Sequence, residues 1–206
     1  MVIASRLHLP SIADFHLNFK NHLINLAMKA LLIIDMQVGL FTPSTPRYDA
    51  HGVISRINAL SNKFRSCNLP VIFIQHDGTC DSYLLPGTPN WEILPSLVMS
   101  ASDIVVQKTA NDAFYNTNLQ EKLDSLGVNE LYIAGCATDF CVDTTIRSAH
   151  SKNYKITVVE DAHTTGHRPH LDAASVIVHH NWVWSELSPT QHRITVSPFE
   201  EAISCI

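Results

Sequence analysis

Short apolar runs alternate along this chain with stretches whose apolar residues recur every three or four positions. The runs at 30–34, 71–75, 103–107, 130–134 and 155–159 have the length and β-branched content of buried strands, and 191–196 makes a weaker sixth. Helix-like stretches lie near 50–66, 117–126, 141–151 and 170–182. In the second of these Leu119, Leu123 and Leu126 sit at helical spacing, and Gly127 just after them reads as a C-cap. Fully apolar strands separated by helices imply a mainly parallel, roughly six-stranded sheet covered on both faces, a three-layer α/β/α domain of Rossmann type. Residues 78–102 break the alternation with a long irregular stretch containing Pro86-Gly87-Thr88-Pro89-Asn90-Trp91. A loop of that length inside a compact domain is expected to be functional or a lid.

The regular pattern starts at Met28, so a single domain is expected over 28–206, preceded by an extension of unclear role at 1–27. Ile12, Phe15 and Leu23 give part of the extension an amphipathic character, but it could equally pack loosely. It does not read as a signal peptide, because charged residues and histidines interrupt it. No apolar run approaches the roughly 20 residues of a membrane span.

Composition narrows the classes further. At 206 residues, 46% hydrophobic and 16% charged, the chain fits one well-buried globular core. Its net charge of -5 argues against nucleic acid as partner. The five cysteines are odd in number and irregularly spaced, with no metal-binding pair pattern. A reducing, cytoplasmic setting is therefore expected.

In parallel sheets ligands bind at the carboxyl ends of the strands. That rule selects Asp35, His76, Asp77, Lys108, the turn from Gly135 to Cys141, and Asp161. Cys141 falls where a helix is expected to begin. A helix N-terminus lowers a thiol's pKa and offers backbone N–H donors to a developing anion. With Asp35 as base and Lys108 as orienting charge, the thiol would fall into the range of about 3.5–7.5 known for activated cysteines. The backbone N–H groups of Ala137 and Cys141 would form the oxyanion hole. Taken singly, each residue has a plainer reading: Cys141 as a small core residue, Asp35 as a turn residue, Lys108 as a solvated lysine. Their shared sheet edge favours the chemical reading.

At this point the chain, from about residue 29 to 196, resembles the isochorismatase-like cysteine hydrolase superfamily, relatives of nicotinamidase and N-carbamoylsarcosine amidohydrolase. Leu32-Ile33-Ile34-Asp35-Met36-Gln37 with Phe41 resembles the family's first strand and its acidic residue. Val105-Val106-Gln107-Lys108 with Asp112-Ala113-Phe114 resembles the lysine strand. Gly135-Cys136-Ala137-Thr138-Asp139-Phe140-Cys141-Val142 resembles the nucleophile turn, and Thr145 to Ala149 with Val158 to Ala162 the helix and strand beyond it.

The resemblance implies an Asp35–Lys108–Cys141 triad, a cis peptide between Cys136 and Ala137, and a structural role for Cys136. It implies attack on a carbonyl carbon, loss of ammonia or an amine, and hydrolysis of a thioester. It also implies a homodimer or homotetramer. Nicotinamidases of this superfamily bind a divalent metal through an Asp-x-His pair and a further His after the second strand. Here that stretch reads His76-Asp77-Gly78, so no metal and no other cofactor is expected. The cysteine tilts the reading away from vinyl-ether cleavage of isochorismate and towards a small amide, carbamoyl or lactam substrate. A substrate-binding role is expected for Gln37, Phe41, His76, Trp91, Phe114 and Thr138. A non-catalytic small-molecule binder and a redox sensor using Cys136 and Cys141 are the alternatives from other classes. Trp182 and Trp184, beyond His179-His180, belong either to the core or to a subunit interface.

Overall fold

The computed structural model describes residues 28–79 and 83–206; the expected N-terminal extension, with Ile12, Phe15 and Leu23, and Cys80 lie outside the described residues. The strands are β1 (Met28–Ile34), β2 (Val71–His76), β3 (Ile104–Lys108), β4 (Val128–Cys136), β5 (Lys155–Thr164) and β6 (Thr195–Ser197). They pair in the order β3-β2-β1-β4-β5-β6, and every pairing is parallel.

Side chains alternate across a strand, and in β1 both sets are apolar. Ala30, Leu32 and Ile34 enter one core, Leu31 and Ile33 the other. The first core is closed by α2 (Leu119–Ser125), α3 (Asp143–Ser151) and α4 (Ala173–Glu186), through Leu119, Leu123, Ile146, Ala149 and Trp184. The second is closed by α1 (Ala50–Ser66) and α5 (Phe199–Ser204). Val53, Ile57, Leu60 and Phe64 supply its helical stripe, and Ala202 joins them from α5. These are the three layers expected.

The differences are local. Leu126 does not share the buried face of Leu119 and Leu123: it caps α2 and is 37% exposed, and Gly127 takes the left-handed φ of +68° that ends the helix. Trp184 is fully buried and donates to Asp143 Oδ1 at 2.8 Å, whereas Trp182 is 62% exposed. Asp161 is not at the end of β5 but inside it, and it is used structurally. It pairs with Arg56 at 2.9 Å and accepts from the Phe199 backbone N–H at 2.9 Å. The six-residue α5 is too short to register as a periodic pattern.

The strand order reverses direction between β1 and β4, which makes their carboxyl ends the switch point where such sheets bind ligands. The two strands meet there with Ile34 opposite Gly135. A Cβ on Gly135 would lie 2.2 Å from the Ile34 carbonyl oxygen and 2.5 Å from its nitrogen, and Gly135 has a φ of +124°. Backbone cannot yield as a side-chain tip can. Gly135→Ala is therefore expected to destabilise the protein by about 2–3 kcal/mol, seen as a lower denaturant midpoint. An unchanged midpoint would mean that the strands can spread.

Candidate active site

Asp35 is the first residue past β1. Its backbone takes a left-handed φ of +46°, a conformation that Asp tolerates better than most residues. Its N–H donates to the Ile74 carbonyl of β2 at 2.9 Å, which holds the turn against the sheet. Lys108 ends β3, two strands away, and pairs in register with His76 of β2. The lysine's Nζ lies 2.7 Å from Asp35 Oδ2, with both side chains essentially out of solvent. It also donates to the Ala110 carbonyl at 2.9 Å and meets His76 Nδ1 at 3.3 Å. An ammonium can only donate, so His76 Nδ1 accepts in that contact, while the Ala110 backbone also engages the ring. Burial, and then the Lys108 charge, lower the pKa of His76, in keeping with a neutral ring.

The nucleophile turn follows β4. The Cys136–Ala137 peptide is cis. Residues Thr138–Val142 form one wide π-helical turn that runs into α3. Cys141 therefore lies three residues inside the helical stretch rather than at its start. Two side chains pin the turn from behind. Thr138 Oγ1 meets His163 Nδ1 at 3.0 Å, and His163 Nε2 meets Asn181 Oδ1 at 2.9 Å. Burial pushes the pKa of His163 down to about 4, so the ring is neutral, with Nε2 donating to Asn181 and Nδ1 accepting from Thr138. Asp139 takes both ends of the Arg168 guanidinium, at 2.6 and 2.7 Å, and the Thr165 hydroxyl at 2.7 Å. Burial opposes ionisation of Asp139, but these bonds hold its pKa below the usual range.

Between these anchors Cys141 faces Asp35. The thiol donates to Asn111 Oδ1 at 3.5 Å. Asp35 Oδ1 is buried and has no hydrogen bond of normal geometry among the described residues, and the thiol neighbours the carboxylate. The expected lowering of the thiol's pKa is not what this geometry gives. Burial, and then the Asp35 carboxylate, raise it, and the opposing pull of Lys108 is weaker. Burial also raises Asp35, against Lys108 and the thiol. The low-dielectric site disfavours a second anion beside the carboxylate, so the resting proton stays on sulfur. Cys136 is fully buried, a free thiol pushed up to about 12 by burial, which makes it a poor nucleophile or redox partner.

The cleft above this group has a volume of about 250 Å³ and is lined by Asp35, Leu40, Arg47, His76, Leu84, Asn111, Ala137, Phe140, Cys141 and Arg168. Of the expected substrate contacts only His76 lies there. Gln37 is fully buried: its Nε2 donates to the carbonyls of His76 and Trp91 at 3.0 and 2.8 Å, and its Oε1 accepts from His76 N at 2.9 Å. It ties the loop of residues 83–102 to β2. Trp91 donates through Nε1 to Asp77 at 2.8 Å. Phe114 is in the core, stacked on Tyr154. Thr138 is buried behind the turn, and Phe41 lines a neighbouring surface depression instead. Polar residues near an active edge bind backbone as readily as ligand, and sequence alone does not separate the two. Arg47, Asn111, Phe140 and Arg168 were not singled out by the sequence. Only the charge of two arginines in loops close to the motifs offered a signal.

The residues present do not fit the nicotinamidase-type metal. Position 78 offers no side chain, His76 Nδ1 is taken by Lys108, and Asp77 by Trp91. Among the described residues no group of three or more His, Cys, Asp or Glu is placed to hold an ion. No helix among the described residues is long and apolar enough to cross a membrane.

Comparison with known proteins agrees with this fold. The isochorismatase domain family matches residues 29–182. The chain is 31% identical over 138 residues to streptothricin hydrolase of Streptomyces noursei, covering 67% of this chain and 50% of that protein. It thus spans about half the length of the first curated relatives it matches. It is 29% identical over 170 residues to ureidoacrylate amidohydrolase of Caulobacter segnis, covering 65% of this chain and 71% of the relative. A solved isochorismatase family protein superposes with a TM-score of 0.76 at 35% identity, over 82% of this chain and 99% of its own.

Proposed function

This chain belongs to the isochorismatase family, and from that premise we propose that it is a metal-independent cysteine amidohydrolase cleaving a C–N bond of a small amide, carbamoyl or lactam compound. One observation carries the reading: a buried Lys108–Asp35 pair with the Cys141 thiol against the carboxylate. A base, an orienting cation and a nucleophile in contact are what acyl transfer needs. The names of the streptothricin hydrolase and ureidoacrylate amidohydrolase relatives support a hydrolytic, amide-directed reaction. The small cleft supports a small substrate.

The steps follow from the geometry. Cys141 Sγ attacks the carbonyl carbon as its proton passes to Asp35. The C–S bond forms, and the carbonyl oxygen becomes an anion facing the backbone N–H groups of Ala137 and Cys141. The C=O bond re-forms, the C–N bond breaks, and Asp35 returns the proton to the departing nitrogen. Ammonia or an amine leaves a thioester on Cys141. Asp35 then takes a proton from water, and the hydroxide attacks the thioester carbon. The C–S bond breaks, the sulfur recovers its proton, and the acid product departs. Lys108 holds the carboxylate in place through both halves. His76, on the cleft wall, presents a neutral ring to the substrate.

A substrate panel tests this reading: nicotinamide, pyrazinamide, N-carbamoyl amino acids, small lactams and isochorismate, each with and without chelator. Turnover of at least one C–N substrate is expected, unaffected by chelator, with an acyl adduct on Cys141 in acid-quenched samples analysed by mass spectrometry. Loss of activity with chelator would overturn the metal-independent mechanism. Cleavage of isochorismate alone would overturn the C–N assignment.

A further inference from the structure

Most charges in and around the cleft have an ion-pair partner. Asp35 is matched by Lys108, and Asp139 by Arg168. Asp49, near Arg47 in sequence, is matched by Arg56 at 2.9 Å, and the same arginine holds Asp161. Arg47 pairs with no carboxylate among the described residues. Its Nε donates to the Leu40 carbonyl at 2.6 Å, which fixes the guanidinium and leaves its terminal nitrogens for something else. It is partly buried, on the wall of the cleft that also holds Cys141.

Space has been left for that guanidinium. Gly166 is buried and has no left-handed φ, so its backbone does not call for glycine. A Cβ there would come within 3.2 Å of Arg47 Nη1, 3.3 Å of the Pro46 carbonyl and 4.0 Å of Arg168 Nη1. Only the Arg47 and Pro46 contacts are tighter than ordinary packing, but both guanidinium groups lie near this one point, and Asp139 pairs with Arg168 alone. A second anion completes such an arrangement, and a guanidinium binds a carboxylate by two parallel hydrogen bonds.

We infer that Arg47 is a specificity-determining residue that binds a carboxylate on the substrate, so that the enzyme acts on anionic amides or carbamoyl compounds. The inference rests on the amidohydrolase reading for the reaction but not for the binding. A charge-assisted contact of this kind corresponds to about 10- to 100-fold in affinity.

Matched pairs test it. Succinamate is compared with 4-methylpentanamide, and N-carbamoylglycine with isobutylurea; in each second member an isopropyl group replaces the carboxylate. The folded protein is expected to prefer the anionic member by about 10- to 100-fold in kcat/KM. Arg47→Gln should collapse that ratio to within about threefold, mainly through KM, and Arg47→Lys should restore part of it. Calorimetric titration of succinamate and N-carbamoylglycine into Cys141→Ala protein gives a second readout without turnover. Arg47→Gln in that background should weaken binding by the same factor. A ratio that survives Arg47→Gln overturns the inference, as does preference for the neutral member or absence of binding by either anion to folded Cys141→Ala protein. Binding that depends on Arg47, without hydrolysis of any amide, upholds the anion site and overturns the amidohydrolase reading instead.

Discussion

Cys141→Ala and Asp35→Asn are each expected to lower turnover by about 10⁴-fold or more, and the double variant by little further, because a nucleophile and its base act as one unit. Their thiol chemistry separates the roles. Burial and the Asp35 carboxylate hold the thiol's pKa up, while Lys108 pulls it down. Asparagine removes the carboxylate's charge and keeps the cation. It also tolerates the left-handed backbone at position 35, so the turn survives. Alkylation of Cys141 by iodoacetamide at pH 7 should therefore become faster in Asp35→Asn even as catalysis disappears. Slower alkylation would show that Asp35 ionises the resting thiol, contrary to the geometry. On the proposed mechanism, activity of the unaltered protein needs Asp35 ionised, and burial raises its pKa. The acid limb of kcat/KM should therefore lie above the ordinary aspartate value, with activity rising as pH rises through it.

Lys108→Met is expected to destabilise the protein by about 3–5 kcal/mol near neutral pH, because it strands a buried carboxylate. The sign of its pH dependence follows from Asp35. A carboxyl whose folded pKa is raised loses stability as pH climbs from its unfolded value through its folded one. Removing Lys108 takes away the largest influence that lowers Asp35 and widens that window. The deficit against the unaltered protein should grow from pH 5 to pH 8 in denaturant titrations. Asp35→Asn combined with Lys108→Met should recover much of the loss, since no charge is then left buried. A deficit independent of pH, or no recovery in the double variant, would mean that the lysine stem's packing matters more than the pair.

Much of the fold was legible because both faces of each inner strand are buried. Leu31 to Ile34 and Leu131 to Ala134 read as unbroken apolar runs, and only a covered parallel sheet accommodates these. The rule that ligands gather at strand ends then found Asp35, Lys108 and Cys141 together. It failed for Asp161, where β5 continues past the predicted end and Arg56 claims the side chain. Position along a strand is read from hydrophobicity, and β5 runs on through half-buried Glu160 and Asp161 into buried Ala162, His163 and Thr164. The cleft walls were less legible for another reason. Gln37 and Arg47 are both polar and close to β1, yet one spends its hydrogen bonds on backbone and the other, among the described residues, keeps its terminal nitrogens unpaired. That difference depends on loop paths, which the pattern of apolar positions does not encode. The thiol's protonation state was hidden too: its pKa turns on burial and on the distance to one carboxylate, not on its place along a helix.

The contact of Gly135 with Ile34 has a consequence for how this protein could change over time. The proposed base and nucleophile follow neighbouring strands whose spacing is that of the sheet itself, about 4.8 Å. Arg47, Leu84 and Asn111 sit on connections between the strands and helices, and Arg168 on the loop before α4. Reactivity and selectivity are therefore inherited through separate parts of the chain. Drift or deliberate redesign can rebuild the rim for a new compound while the reacting atoms keep their separation.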